Sequence, residues 1–385
     1  MNQLAQFLTP CATSQTLVSR MATRRARYVV DIGAGSGSLL EAAGNRWRSA
    51  SLIASDIDAR TIKMLVARMP RALGRVADGL SYKLPKALEM EEESVDVGVC
   101  NPPFFWLDAK ASFRNVLRSV DLDDCVSPKR LSSDVIFLAQ NLRLLKTGGE
   151  LAVIVPDGIV TSAYFAPLRA ALIERHGLAK VIQLPDKLFK RTEARTHVLY
   201  LRKRCTTTKY VELSALEGGV PLRISVDSAT KRMDYSFHHM MSRQSQAAVT
   251  LRDIGALVQR GALGAAECKM RSLQSFHTTD FKRFPNGLVE FPFDGSFPDR
   301  WSLKEGDILV PRVGARCISH VAVVVSGTAV FTDCVYRVRV PQEQTQQVFR
   351  ALRSSDGVAW RENAAHGTCA RLLSKQDVLD LPVGF

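Results

Sequence analysis

The features that the sequence lacks exclude several protein classes. No apolar stretch approaches the ~20 residues that cross a bilayer, so we predict no membrane-spanning segment and no membrane partner. Residues 1–17 carry no charged residue ahead of their apolar positions, which is unlike a signal peptide. The eight cysteines form no C-x-x-C pair, so neither a metal site nor a disulfide framework is indicated. Without an export signal we expect reduced thiols and a cytoplasmic location.

The sequence also lacks any block of like charge, although its balance is basic. The 385 residues include 52 Lys and Arg against 38 Asp and Glu, a net charge of +14 at pH 7. This balance suggests a polyanionic partner but is weak support by itself, because no basic tail or patch stands out. The hydrophobic fraction of 46% is too high for a disordered chain. The length allows about two or three domains.

Apolar strands alternate with helical segments up to about residue 203. This alternation predicts an α/β fold with a mostly parallel sheet and helices on both faces. The expected strands are Tyr28–Ile32, Ser51–Ser55, Arg75–Ala77, Val95–Cys100, Glu150–Val155, Lys180–Leu184 and His197–Leu201. Residues 204–231 have the pattern of a linker or small hairpin, and residues 232–385 are rich in strand and glycine signals. We therefore expect a first domain over 1–203 and a β-rich α+β domain over 232–385.

A glycine-rich turn follows the first expected strand and precedes a helix. It runs from Asp31 through Gly33 and Gly35 to Gly37. Glycines at this position let a ligand approach the backbone closely, at the positive end of a helix. The pattern D-x-G-x-G-x-G differs from the G-x-G-x-x-G of dinucleotide sites, because an acidic residue precedes the glycines. A carboxylate there suits a cationic amino-acid group, which favours S-adenosylmethionine over NAD as the cofactor.

Two more aspartates fall where the next strands end. Asp56 closes the second strand, where a carboxylate can bind both ribose hydroxyls of a nucleoside. Asp78 follows the third strand, where it can accept a hydrogen bond from an adenine amino group. Because ligands of open α/β sheets bind at the carboxyl ends of the strands, these aspartates and the glycine turn together predict a nucleoside cofactor site.

The tetrapeptide Asn101-Pro102-Pro103-Phe104 follows the fourth expected strand. The two prolines fix φ, and the Asn101 side-chain oxygen and the Pro102 carbonyl can then accept both hydrogens of one planar NH2 group. Phe104 offers a face on which an aromatic ring can stack. An N-P dipeptide also occurs in plain turns, but after the glycine turn we interpret these four residues as catalytic.

These motifs together resemble an N6-adenine DNA methyltransferase of the gamma arrangement, similar to the modification subunits of type I restriction-modification systems. The segment at Thr9-Pro10 resembles the family's N-terminal cofactor segment, and residues 148–158 and 182–196 resemble type I modification subunits. The resemblance implies a Rossmann-like S-adenosylmethionine-dependent sheet. It also implies that Thr9 and Pro10 contact the cofactor and that Phe189 forms a second wall of the base pocket. We expect a departure from those subunits in their long helical N-terminal domain, because about thirty residues precede the glycine turn in this sequence.

The C-terminal part resembles, more loosely, the target-recognition domain of a specificity subunit. The segments that carry this resemblance are 232–235, 306–314, 332–339 and 372–382. Such a domain implies double-stranded DNA as the substrate, contacted through arginines that reach phosphates or guanine edges; the candidates are Arg312, Arg316, Arg337 and Arg339. One recognition module without a spacer helix favours a monomer. Whether a restriction nuclease or a specificity subunit is a partner stays open.

Other functions remain compatible with the same motifs. The N-P-P-[FY] turn also serves RNA guanine-N2 and protein glutamine methyltransferases, although those enzymes need no recognition domain. A DNA-binding protein on a non-catalytic methyltransferase scaffold is disfavoured, because the acidic residues, the glycines and Asn101 are all intact. Cytosine-N4 methylation usually replaces the Asn of this motif with Ser or Thr.

Overall fold

A computed structural model gives the structure of the chain. It describes residues 9–186, 188–189, 195–205, 209–243, 248–292, 297–314, 316–367 and 371–384. The chain divides into two compact units, Met1–Tyr235 and Ser236–Phe385. Within the described residues, no helix has the length and apolar character needed to cross a membrane.

The first unit is built on a mixed sheet. The described strands of this unit are β1 (Tyr28–Ile32), β2 (Ser51–Asp56), β3 (Ala72–Val76), β4 (Val95–Cys100), β5 (Trp106–Asp108), β6 (Arg130–Ser132), β7 (Leu145–Pro156), β8 (Lys180–Gln183), β9 (Thr196–Arg202), β10 (Tyr210–Ala215) and β11 (Leu222–Ser225). Nine of these described strands form one sheet in the order β11-β10-β8-β9-β7-β4-β1-β2-β3, and β5 and β6 form a separate antiparallel pair. Strands β3, β2, β1, β4 and β7 run parallel, so their carboxyl ends lie along one edge.

Helices cover both faces of this sheet. The described helices of the unit are α1 (Cys11–Ser19), α2 (Ser38–Arg46), α3 (Ala59–Arg68), α4 (Leu84–Ala87), α5 (Ala111–Arg118), α6 (Ser133–Leu144), α7 (Asp157–Thr161), α8 (Ala166–His176) and α9 (Val226–Lys231). Side chains alternate between the two faces along each strand. In β1, Val30 belongs to the apolar cluster that includes α6 and α8, and Val29 belongs to the cluster that includes α1, α2 and α3. The expected α/β class is thereby confirmed.

The second unit contains two smaller sheets. Its described strands are β12 (Leu257–Arg260), β13 (Ser275–Phe276), β14 (Leu288–Glu290), β15 (Ser302–Leu303), β16 (Ile308–Pro311), β17 (Ala322–Ser326), β18 (Ala329–Phe331) and β19 (Val335–Arg339). They form the sheets β12-β19-β16-β17-β14 and β13-β18-β15. The remaining described helices are α10 (Tyr235–Arg243), α11 (Ala265–Met270), α12 (Thr345–Arg353), α13 (Ser355–Ala364) and α14 (Lys375–Leu379). A β-rich mixture of strands and helices follows the first unit, as the sequence indicates.

The segment 204–231, expected as a linker or small hairpin, contains a hairpin that belongs to the first unit. It contains β10 and β11, which form an antiparallel hairpin, and β10 pairs in parallel with β8. Helix α9 then packs against α8, and the buried residues Ala229 and Met233 join the core of the first unit. The hairpin therefore extends the sheet, and the first unit reaches Tyr235.

Candidate cofactor and base site

A cavity of about 210 Å³ lies where β1, β2, β3 and β4 end. Because the strands are parallel and adjacent, residues distant in the sequence meet at this edge. The cavity is lined by Thr9, Asp31, Gly33, Ala34, Gly35, Ser36, Ser38, Leu39, Asp56, Ile57, Ala77, Asp78, Gly79, Leu80, Asn101, Pro102, Pro103, Phe105 and Phe137. The glycine turn, the three aspartates and the Asn-Pro-Pro turn thus share one cavity.

The glycine turn closes tightly over the end of β2. Gly33, Gly35 and Gly37 have φ angles of 74°, 50° and 76°. Residues other than glycine rarely adopt this left-handed backbone conformation. The amides of Gly33 and Ala34 both donate to the carbonyl oxygen of Ser55 at 2.8 Å. Gly37 directly precedes α2, so the turn lies at the positive end of a helix that borders the cavity.

Asp31 is a buried carboxyl group that faces the cavity. Its side chain is 1% exposed, and its Oδ1 atom has no hydrogen-bond partner among the described residues. Burial, and secondarily the charge of Asp56, raise the pKa of Asp31 to about 8. A cationic group placed in the cavity would stabilise the Asp31 carboxylate, so this residue fits the amino-acid end of S-adenosylmethionine.

Asp56 and Asp78 both organise backbone around the cavity. Asp56 accepts from the Gly35 amide and from the Asp58 amide, each at 3.0 Å. Asp78 accepts from the Leu80 amide at 2.9 Å. A carboxylate oxygen has more than one lone pair, so both residues can also accept hydrogen bonds from a bound nucleoside. Asp58 instead caps α3 through the Arg60 amide.

The loop after Asp78 is fitted closely to the ring of Phe137. A Cβ atom at Gly79 would lie 2.5 Å from Phe137 Cζ, and one at Gly33 would lie 3.2 Å from Phe137 Cε1. Gln140, one turn further along α6, donates to the carbonyl oxygens of Gly79 and Ser81 at 3.2 and 2.7 Å. Helix α6 therefore shapes one wall of the cavity, a role that the sequence analysis missed.

Asn101 is oriented by Thr9. Its Nδ2 atom donates to Thr9 Oγ1 at 3.1 Å, and Thr9 is buried at the start of the described chain. An amide held through its nitrogen presents its oxygen on the other side. Thr9 thus lines the cavity beside the Asn-Pro-Pro turn, whereas Pro10 is exposed at the start of α1 and is absent from the lining.

Ser133 holds the loop that follows Asn101 and Pro102. Its hydroxyl donates to the Pro103 carbonyl oxygen and accepts from the Phe105 amide, the latter at 3.0 Å. The Ser133 amide also donates to the Phe105 carbonyl oxygen at 2.9 Å. Three hydrogen bonds therefore tie the first residue of α6 to the loop. The sequence shows no motif that would have pointed to this serine.

The two predicted stacking residues lie away from the described lining of the cavity. Phe104 is half-buried and packs against the apolar cluster of α1, α2 and α3, and Phe189 is a 3% exposed member of that cluster. Phe105 and Phe137 are the aromatic residues in the described lining of the cavity. In this conformation Phe189 presents little surface to a base, and its part in a base pocket stays a prediction.

The four candidate arginines of the second unit differ in exposure. Arg337 is 4% exposed and donates to the carbonyl oxygens of Asp299 and Ser302, both at 2.6 Å. Arg339 pairs with Asp307 at 2.6 Å and with Asp299 at 2.9 Å. Arg312 donates to the Asp333 carbonyl oxygen at 2.6 Å. These contacts stabilise the unit itself. The Arg316 side chain is exposed.

The parallel strands of the mixed sheet, the glycine turn and the Asn-Pro-Pro-Phe turn are typical of an α/β unit of the methyltransferase class. A model of the N-6 DNA Methylase family matches residues 2–217, more than half of the chain. The chain therefore belongs to the N-6 DNA Methylase family.

Comparisons with individual proteins agree with this assignment. The type I restriction enzyme EcoEI methylase subunit of Escherichia coli is 23% identical over 216 residues, covering 51% of this chain and 42% of that protein. The chain thus spans less than half the length of this relative.

Solved structures show similar folds. The type IIG restriction endonuclease BpuSI has a TM-score of 0.53 at 12% identity, covering 99% of this chain and 59% of that chain. A type I restriction-modification methyltransferase subunit from Streptococcus thermophilus has a TM-score of 0.46 at 22% identity, covering 62% and 54%. The likeness to BpuSI shows that a fold of this kind extends over almost the whole chain.

Proposed function

We propose that this chain transfers a methyl group from S-adenosylmethionine to the N6 amino group of an adenine in DNA. The observation that carries the proposal is the shared cavity: Asn101 and Pro102 line the same space as Asp31 and Asp56. An acceptor pair for an amine is therefore next to carboxylates suited to a cationic nucleoside. Membership of the N-6 DNA Methylase family supports the same activity.

In this proposal each part of S-adenosylmethionine would have a partner in the cavity. Asp31 would hold the cationic amino group, and Asp56 would accept hydrogen bonds from ribose hydroxyls. Asp78 would accept from the adenine amino group, while the turn through Gly33 and Gly35 lets the backbone approach closely. When bound, S-adenosylmethionine supplies the electrophilic methyl group.

Asn101 and Pro102 would act on the amine that receives the methyl group. The lone pair of an adenine amino group is delocalised into the ring and is a poor nucleophile. Hydrogen bonds from the amine to the Asn101 Oδ1 atom and the Pro102 carbonyl oxygen would localise that lone pair and stabilise the positive charge that develops. The base must leave the duplex to reach the cavity, which costs a few kcal/mol. Stacking on an aromatic ring of the loop, Phe104 or Phe105, would offset part of this.

The second unit would recognise the DNA target. In this proposal, residues from about 232 to 385 form the recognition domain, and the catalytic domain precedes them. Of the four candidate arginines, Arg316 is the exposed one and is the first choice for contact with DNA. By similarity to the type I relatives, a specificity subunit or a restriction subunit would be a partner of this chain.

The proposal is tested by expressing the chain in a bacterial host without N6-methyladenine and analysing the digested DNA by mass spectrometry. We expect N6-methyladenine to appear, confined to one sequence motif when the same DNA is sequenced by a modification-sensitive method. DNA that holds only N4-methylcytosine, or no modified base while cellular RNA or protein carries the methyl group, would refute it.

A further inference from the structure

An exposed aromatic cluster lies immediately beyond the Asn-Pro-Pro turn. Trp106 and Tyr164 are 49% and 47% exposed, and their ring centroids are 5.8 Å apart in an edge-to-face arrangement. Phe165 is buried beneath them, with its ring stacked on Trp106 at 6.2 Å and perpendicular to Tyr164 at 4.8 Å. The exposed rings of Trp106 and Tyr164 therefore pack on the buried ring of Phe165 and together form an exposed apolar surface.

A positive charge belongs to the same cluster. The guanidinium of Arg130 lies over the Trp106 ring, 5.4 Å from its centroid, and the Arg130 carbonyl oxygen accepts from the Tyr164 hydroxyl at 3.3 Å. Among the residues that the structure describes, no carboxylate forms an ion pair with Arg130, although Asp108 lies opposite it in the β5–β6 hairpin. The exposed Lys129 is adjacent to Arg130 in the chain. The cluster thus combines aromatic faces with a guanidinium that forms no ion pair among the described residues, with Asp108 as its cross-strand neighbour.

The hairpin fixes the cluster relative to the cavity. Trp106 and Arg130 are on the same face of the β5–β6 pair, while Leu107 and Leu131 alternate to the inner face. Trp106 directly follows Phe105, which lines the cavity and is tied to α6 by Ser133. The aromatic cluster therefore begins one residue beyond the lining of the cavity.

We propose that Trp106, Tyr164 and Arg130 form a stacking platform for the DNA bases that flank the extruded adenine. The proposal rests on the function proposed above. Extrusion of one base exposes the faces of its neighbours, and an exposed indole or phenol ring can cover such a face. Arg130 and Lys129 supply the positive charge that the adjacent phosphates require.

The test uses the full chain and two fluorescein-labelled duplexes of the same sequence, one intact and one with a single-nucleotide gap that exposes base faces. Wild-type protein should bind the gapped duplex more tightly. Trp106→Ala should remove this preference through a loss of about five- to a hundredfold in affinity for the gapped duplex. Trp106→Phe should keep most of it, because a smaller ring still stacks.

Tyr210→Ala is the matched control. Tyr210 is 43% exposed and also carries an arginine over its ring, Arg223 at 4.5 Å, but it lies on β10 near the far edge of the sheet. This variant should bind both duplexes like wild type. Equal binding of the two duplexes by wild type, or an unchanged preference in Trp106→Ala, would overturn the proposal. If Trp106→Ala does not fold, Tyr164→Ala decides by the same criteria.

A parallel assay of methyl transfer to genomic DNA separates this proposal from the proposed function. Wild-type protein that methylates adenine but shows no preference for the gap refutes the platform alone. Wild-type protein that prefers the gapped duplex but methylates no DNA refutes the proposed function and leaves the stacking surface standing.

Discussion

Side chains that line the same cavity have different surroundings, and their chemistry follows from these. Asp31 is buried with an unpartnered oxygen in the described structure, whereas both oxygens of Asp56 accept from backbone amides. Asn101 is oriented through its nitrogen by Thr9. The carboxyl group of Asp31 can therefore change its protonation state when a ligand binds. The carboxylate of Asp56 is oriented as a hydrogen-bond acceptor, and the side-chain amide of Asn101 is oriented by Thr9.

The buried Asp31 predicts a pH-dependent affinity for the cofactor. Its pKa of about 8 exceeds the usual aspartate value, so below that pH the free site holds a proton. A cationic amino group favours the carboxylate, and binding releases this proton. Affinity for S-adenosylmethionine, measured by calorimetry, should therefore rise by about tenfold per unit between about pH 6 and pH 7.5. Asp31→Asn should remove most of this dependence of affinity on pH. Asp58 caps a helix outside the cavity, so Asp58→Asn should leave the dependence unchanged.

The same pKa shift has a defined sign for stability. The folded protein retains a proton on Asp31 that the unfolded chain releases, so the cofactor-free protein should lose stability as the pH rises from about 4 to about 8. Asp31→Asn should remove this part of the decline in urea unfolding. A wild-type affinity for the cofactor that does not change over the stated pH range would contradict the role given to Asp31.

Substitution of Ser133 should lower the rate of methyl transfer without weakening cofactor binding. Ser133→Ala leaves the Phe105 amide and the Pro103 carbonyl without their hydroxyl partner, at a cost of about 1–3 kcal/mol. If the loop is thereby misplaced in the transition state, methyl transfer should fall about tenfold or more while the Kd for S-adenosylmethionine stays within about twofold. Ser119→Ala, which removes a hydroxyl bond to Val116 at the end of α5, is the control. Equal rates for the two variants would exclude the positioning role.

The sequence predicted that Asp31, Asp56 and Asn101 lie close together, and all three line one cavity; it did not predict the residues that pack around them. Asp31, Asp56 and Asn101 stand at the ends of strands, and the geometry of a parallel sheet brings such positions together. Ser133 contacts the loop after Pro102, and Phe137 lines the cavity. Both lie on a helix further along the chain, and their contacts depend on tertiary packing. Arg337 looks in the sequence like any strand arginine, and only the fold shows that it points into its own unit.

At the scale of secondary structure, the central strands β1 and β4 were predicted best. The expected bounds of β1 and β4 match the observed ones. The third strand was expected over Arg75–Ala77 and is observed over Ala72–Val76, because an edge strand is only partly buried and its apolar pattern is weak. Strand β7 begins earlier than expected, since its start contains the glycines 148 and 149.

The fit between α6 and the loop after β3 predicts a steric effect that can be reversed. Gly79→Ala should weaken cofactor binding by about tenfold or more, because the new Cβ would lie 2.5 Å from Phe137 Cζ and would force a shift between two residues that both line the cavity. Phe137→Leu in the same chain should restore part of the affinity by removing the ring atoms. Gly264→Ala, where a Cβ meets open space, serves as the control. An unchanged Kd for Gly79→Ala would show that α6 does not shape the site.

At the scale of the whole molecule, the net charge of +14 divides between structural and exposed residues. Arg337→Met should destabilise the protein by about 2–4 kcal/mol in urea unfolding, because the carbonyl oxygens of Asp299 and Ser302 lose a buried donor. Arg316→Met should leave stability within about 0.5 kcal/mol and weaken the binding of duplex DNA. Weaker DNA binding in Arg337→Met together with lower stability in Arg316→Met would show that the roles given to the two arginines are wrong. The monomeric state remains a prediction.

The most direct test of adenine methylation at the Asn-Pro-Pro turn compares two measurements on Asn101→Ala, the formation of N6-methyladenine and the Kd for S-adenosylmethionine. The predicted result is a fall in methyl transfer of about a hundredfold or more, with a Kd within about threefold of wild type. Asn115→Ala, an exposed asparagine on α5, should leave both values unchanged. Methyl transfer by Asn101→Ala within a few-fold of the wild-type rate would contradict the central claim.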